Sequence, residues 1–128
     1  MAHLVFYNPN PYGAKVGDCV VRAIAIASDQ DWDTTYTGLT FQGFVLKDMP
    51  SSNYVWGEYL KSLGFRKRII DNDCIQCYTV ADFADEHRSG AYVVGTGTHA
   101  VAVVDGDVVD IWDSRNENPV YYYEKEEK

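Results

Sequence analysis

The run "GDCVVRAIAIAS" at residues 17–28 constrains this chain more than any other. Positions 19–21 and 23–27 are apolar and only Arg22 interrupts them, so a helix built from the run is apolar almost all round. A helix of that kind needs other structure on nearly every side, because a single apolar stripe would leave its back in water. The rest of the domain must therefore be wrapped around it. Asp18 is placed to cap this helix, which puts Cys19 at the first helical position.

With 128 residues the chain is long enough to do this as one domain, burying roughly two thirds of the surface its unfolded form exposes. After an edge-strand candidate at "HLVFY" (3–7), "NPNPYG" reads as a loop, since its two prolines remove donors and bias their predecessors away from helix. "DWDTTYTGLTFQGFVL" places Trp32, Tyr36, Leu39, Gly43 and Leu46 at helical spacing, weakened by Gly38 and Gly43. "SSNYVWGEYLKSLGF" predicts a serine-capped helix with Val55, Trp56, Tyr59, Leu60 and Leu63 inward, stopped at Gly64. A strand near 65–70 and the loop "DNDCIQC" precede a helix from Thr79, with Asp82 completing the capping pattern and Gly90 ending it. Strands follow at 91–95, 99–104, 108–113 and 119–124, and the charged tail "EKEEK" (124–128) is expected to fray. Helices first and a mostly antiparallel sheet second is an α+β order.

The formal net charge is −8, and no stretch groups enough Lys and Arg to neutralise a run of phosphates, which argues against nucleic acid as a partner. The short "RKR" at 66–68 suits a strand edge, where positive charge discourages further pairing. Neither a secretory leader nor about 18 consecutive apolar residues can be found, so no membrane partner is expected and the chain reads as cytoplasmic. Its three cysteines, an odd number, fit a reducing compartment better than a disulfide framework. Cys74 and Cys77 in "CIQC" have metal or redox spacing, but a structural zinc needs four ligands and only His3 and His87 remain beyond His99. We expect an ordinary loop pair there, with no metal and no cofactor.

Chemistry points to three other residues. A thiol in the first turn of a helix lies where backbone N–H groups point outward and favour thiolate, so Cys19 is seated as a nucleophile would be. In "GTGTHAVAVVDGDVVDIWDS" (95–114), a three-residue "DGD" loop would pair Val104 with Val108 and bring His99 directly opposite Asp113. The carboxylate would then accept the imidazole N–H and stabilise the imidazolium that accompanies a thiolate.

A helix-seated cysteine near the start, a histidine opening "HAVAVV" and a carboxylate on the next strand resemble the order and layout of papain-like cysteine peptidases. "GDCVVRA", "YNPNP", "MPSSN" and "THAVAVVDGDVVDIWDS" also resemble small uncharacterised proteins encoded by phages and mobile elements of Gram-positive bacteria, which bring no assigned function. The first resemblance implies a minimal papain-like domain over 1–128, a peptide or protein substrate, and a cysteine peptidase or amide hydrolase working through an acyl-enzyme. Carried over by motif, Cys19 is the nucleophile, His99 the general base and acid, and Asp113 the orienting residue where the family commonly has asparagine. Trp112 would shield the pair from water. The family's oxyanion donor, a glutamine about six residues before the cysteine, is replaced by Gly13, so Asn8 or Asn10 and the Cys19 backbone N–H would have to serve. Other readings stay open: a phage cell-wall endopeptidase of the same clan, a non-catalytic papain-like binding protein, or a transglutaminase-like acyl transferase.

Overall fold

The apolar run becomes helix α1 (Cys19–Ser28), and its surroundings explain its composition. Val21, Ala23, Ile24, Ala25 and Ala27 are buried, as is the interrupting Arg22. The computed structural model describes residues 1–71 and 73–126. In chain order it contains β1 (Leu4–Phe6), α1, α2 (Trp32–Leu46), α3 (Asn53–Ser62), β2 (Phe65–Ile69), a 3₁₀ turn at Ile75–Cys77, α4 (Val80–Glu86), β3 (Ala91–Gly95), β4 (Ala100–Val104), β5 (Asp107–Asp110) and β6 (Tyr121–Lys125). The strands form one six-stranded sheet in the order β1-β5-β4-β3-β6-β2. Pairing is antiparallel except between β1 and β5. The architecture is α+β, as the element order implied.

Two apolar layers sandwich the sheet. On one face α1 to α3 pack Ile24, Leu39, Trp56 and Leu60 against Val93, Ala102 and Tyr123. On the other, Val80, Phe83 and Ala84 of α4 cover Val94, Val101, Val103 and Val108. The near-continuous apolar runs of β3 and β4 follow from burial on both faces. α1 lies on β4 and also contacts α2, so the sheet and a second helix together surround it.

Local signals account for most boundaries. Thr79 and Asp82 form a reciprocal capping box at the start of α4. Asp31 caps α2 through its side chain and Thr34 N. The glycines that weaken α2 as a helix are its packing points: a Cβ on Gly38 would lie 2.5 Å from the Tyr59 hydroxyl, and one on Gly43 2.7 Å from the Asp48 carbonyl oxygen. β2 lies at the sheet edge, which puts the "RKR" charges where a further strand would otherwise add.

Three expectations are corrected. The hairpin joining β4 to β5 closes with two residues, Asp105 and Gly106, at φ 50 and 85. Val104 therefore pairs with Asp107 and Val103 with Val108, one residue out of step with the expected register. An Asp-Gly pair with both φ angles positive is the type I′ geometry, whose twist matches that of the flanking strands. β5 also ends at Asp110 rather than continuing to 113. The tail does not fray from 124: Glu124 pairs with Arg66 and Lys125 with Phe65, and the Glu126 N–H donates to the Gly64 carbonyl at 2.8 Å. Glu127 and Lys128 lie outside the described residues. Among the described residues no helix is long and apolar enough to cross a membrane.

Candidate active site

α1 points its N-terminus at the end of β4 where His99 stands, and Cys19 and His99 line the same cleft, close enough for each to shift the other's proton affinity. The imidazole is held by a buried carboxylate: Nε2 lies 2.8 Å from Oδ2 of Asp110. That leaves Nδ1 for the thiol. Asp110 is itself fixed by the Ser114 hydroxyl at 2.7 Å on Oδ2 and by the Ile111 N–H at 2.8 Å on Oδ1.

Asp113, the expected orienting residue, is not in this group. It is exposed and paired with Arg115, whose Nε and Nη2 each lie 2.9 Å from its carboxylate. Those bonds hold its carboxyl down at about 2. The correction follows from the hairpin, because the tighter turn advances β5 by one residue. Trp112 rather than Asp113 is carried up to the imidazole, its ring 4.9 Å from that of His99. Trp112 stands where a shield would, though it is itself 41% exposed.

Burial opposes the charged form of His99, but the hydrogen bond to Asp110, then the neighbouring Cys19 thiol, then the charges of both raise its pKa to about 9. Cys19 is moved the other way. Its burial favours the neutral thiol, yet the neighbouring His99 imidazole and the Ala100 backbone N–H, with the positive charges of His99 and Arg22, bring it below the ordinary thiol value. Burial also works against the Asp110 carboxylate, and its bonds from His99, Ser114 and Ile111 overcome that to lower its pKa. The three groups favour an ion pair of thiolate and imidazolium backed by a carboxylate.

The oxyanion candidates separate. Asn8 works inside its own loop, donating to the Ala14 carbonyl at 2.9 Å and accepting the Asn10 N–H. Asn10 lines the same cleft as Cys19. Its Oδ1 accepts the Tyr12 N–H at 2.9 Å, which turns the amino group toward Asp18, 3.2 Å away. That group carries a second N–H, and the Cys19 N–H lies in the first turn of α1, where no carbonyl four residues back exists for it.

Asp18 stands at the N-cap position, but its carboxylate makes no capping bond. It is spent instead on Arg22, on Asn10 and on the indole Nε1 of Trp32, the last at 2.9 Å. The cleft beside Cys19 has a volume of about 590 Å³ and runs between α1, α2, the start of α3 and the loop before His99. Trp32, Tyr36, Leu39 and Trp56 form its apolar walls. Cys74 and Cys77, expected as an ordinary loop pair without a disulfide, are instead joined as one, because the tight 3₁₀ turn brings their Cα atoms to 5.3 Å. Among the described residues no cluster of His, Cys, Asp and Glu suits a metal.

Sequence reasoning missed Asp110, Ser114 and Arg22. The signal for Asp110 was present in "DG", which favours the two-residue turn over the three-residue one. Arg22 could have been flagged as the one charge on an otherwise apolar helix. No known protein family, curated protein or solved structure matches the chain.

Proposed function

We propose that this chain is a cysteine hydrolase that cleaves amide or peptide bonds through an acyl-enzyme. The observation that carries the reading is a single imidazole that shares a cleft with a helix-seated thiol and is held by a buried carboxylate at 2.8 Å. In the first half-reaction the Cys19 thiolate attacks the carbonyl carbon, forming the C–S bond and moving the π pair to oxygen. Collapse breaks the C–N bond, and the departing amine takes the proton from Nδ1 of His99. In the second, His99 accepts a proton from water as it attacks the thioester, and the thiolate leaves. Asp110 keeps the imidazole in the tautomer and orientation that both steps use. The Cys19 N–H and the amino group of Asn10 are the donors we assign to the oxyanion.

The aromatic walls of the cleft favour a peptide or amide with a large uncharged side chain beside the scissile carbonyl. Incubating wild type and Cys19→Ala with diverse peptides and simple acyl amides, read by mass spectrometry, tests it. Cleavage by wild type that vanishes in Cys19→Ala supports the hydrolase. A folded wild type that cleaves none of them leaves the papain-like binding protein as the better account. Purified peptidoglycan in the same assay separates a peptidase from a cell-wall endopeptidase of the same clan.

A further inference from the structure

Arg22 lies on α1 close to Cys19, 4% exposed, between two carboxylates that are as deeply buried, Asp18 at 7% and Asp110 at 4%. Its Nη1 is paired with Asp18 and also reaches the Val16 carbonyl at 3.4 Å, while Nη2 lies 3.5 Å from Oδ1 of Asp110. The arrangement is not explained by stability. Removing such charges from water costs several kcal/mol each, and well-packed apolar residues in the same space are often as stable or more so. α1 is apolar at its other inward positions, so an apolar residue at 22 would continue its pattern.

What the guanidinium does is join two parts of the site. Oδ1 of Asp110 is turned to Arg22 and the Ile111 N–H, which leaves Oδ2 for His99 and Ser114. Asp18, held on the other prong, fixes two groups of the cleft wall through Oδ2: the Trp32 indole and the Asn10 amide. Lysine could not hold both carboxylates in this way, because the planar fork is what spans them.

We propose that Arg22 is a positioning residue of this site, one buried guanidinium that sets the Asp110 carboxylate against His99 and, through Asp18, ties the Trp32 and Asn10 wall of the cleft to the Cys19–His99 pair. The assignment rests on the reading of Cys19 and His99 as a reactive pair. The charged and titratable groups in contact with the chain of bonds are Asp18 and Asp110 on Arg22, and Cys19 and Asp110 on His99. With the cation removed, Cys19 loses one of the two positive charges that favour its thiolate, and forming it becomes harder.

The test is the pH profile of Cys19 alkylation by iodoacetamide, followed by peptide mass spectrometry on folded protein, in wild type, Arg22→Met, Arg22→Gln and Arg22→Lys. Both neutral variants should move the acid limb upward by about one pH unit, a loss of about tenfold in rate on that limb. Arg22→Lys, which restores the charge but cannot span both carboxylates, should leave at least half of that shift in place, and a full return of the limb would reduce Arg22 to its charge and overturn the positioning role. Should Arg22→Met fail to fold, Arg22→Gln, which keeps a planar amide donor, carries the comparison. An activated wild-type thiol whose profile is the same in the neutral variants overturns the positioning role and leaves the hydrolase reading intact. A wild-type Cys19 that alkylates like an ordinary thiol overturns both.

Discussion

Oδ2 of Asp110 accepts from Nε2 of His99 at 2.8 Å, whereas Asp113, three residues further along, is turned to Arg115 at the surface. The two carboxylates therefore have opposite expected consequences. Asp110→Asn should lower kcat by on the order of 10² to 10⁴, because an amide can stabilise the wrong imidazole tautomer. Asp113→Asn should stay within about twofold of wild type, as exposed ion pairs contribute little. Steady-state rates on any cleaved peptide decide this, and equal losses in the two variants would return Asp113 to the site.

The pH profile of kcat/KM should be bell-shaped. Its acid limb belongs to Cys19 losing its proton below the ordinary thiol value, and its alkaline limb falls at about 9, where His99 loses its own. Stability carries a related signature. A raised imidazole value stabilises the fold fully below the unfolded value of ~6.5 and ceases to do so as pH rises through the folded value. In Cys19→Ala, which removes the part of the shift due to Cys19 and keeps the part due to Asp110, the unfolding temperature should decline over a narrower interval above ~6.5. The added change His99→Gln should abolish the decline.

The hairpin turn fixes the register on which the site depends. Gly106 has φ 85, and a Cβ there would lie 3.3 Å from the Arg88 Cα. Gly106→Val should cost more than about 1 kcal/mol in chemical unfolding, since a β-branched residue is strained at positive φ. A neutral result would mean the turn can adopt another geometry.

Phe83 is fully buried beneath the sheet, while Phe44 on the outer side of α2 is 67% exposed. Phe83→Ala should destabilise by about 3 to 5 kcal/mol and Phe44→Ala by less than about 0.5 kcal/mol. Comparable losses in the two would contradict a core divided between the two faces of the sheet.

Cys74 and Cys77 are bonded to each other in an exposed turn outside the cleft. Cys74→Ser with Cys77→Ser should leave the alkylation rate of Cys19 unchanged. A change in that rate would show that the disulfide communicates with the site.

Much of this molecule is legible in its sequence because the deciding signals are local. The apolar run 19–27 requires a central helix, Thr79 and Asp82 announce the start of α4, and the position of Cys19 in a first helical turn follows from the pattern around it. His99 is recognisable as the polar residue opening an apolar strand. The acid partner depends instead on strand register, a property of two segments, and a one-residue difference in turn length reverses which alternate residues of β5 share a face with His99, so that Asp110 takes the place expected of Asp113. The tail illustrates the same limit, since its charges look like solvated ends until Arg66 and Arg68 on the neighbouring strand supply partners. Arg22 is the clearest case of all. Its charge inside an apolar helix reads as an anomaly from the sequence, and only tertiary packing, which brings Asp18 and Asp110 to either side of it, offsets part of the cost of burying that charge and gives it work in the site.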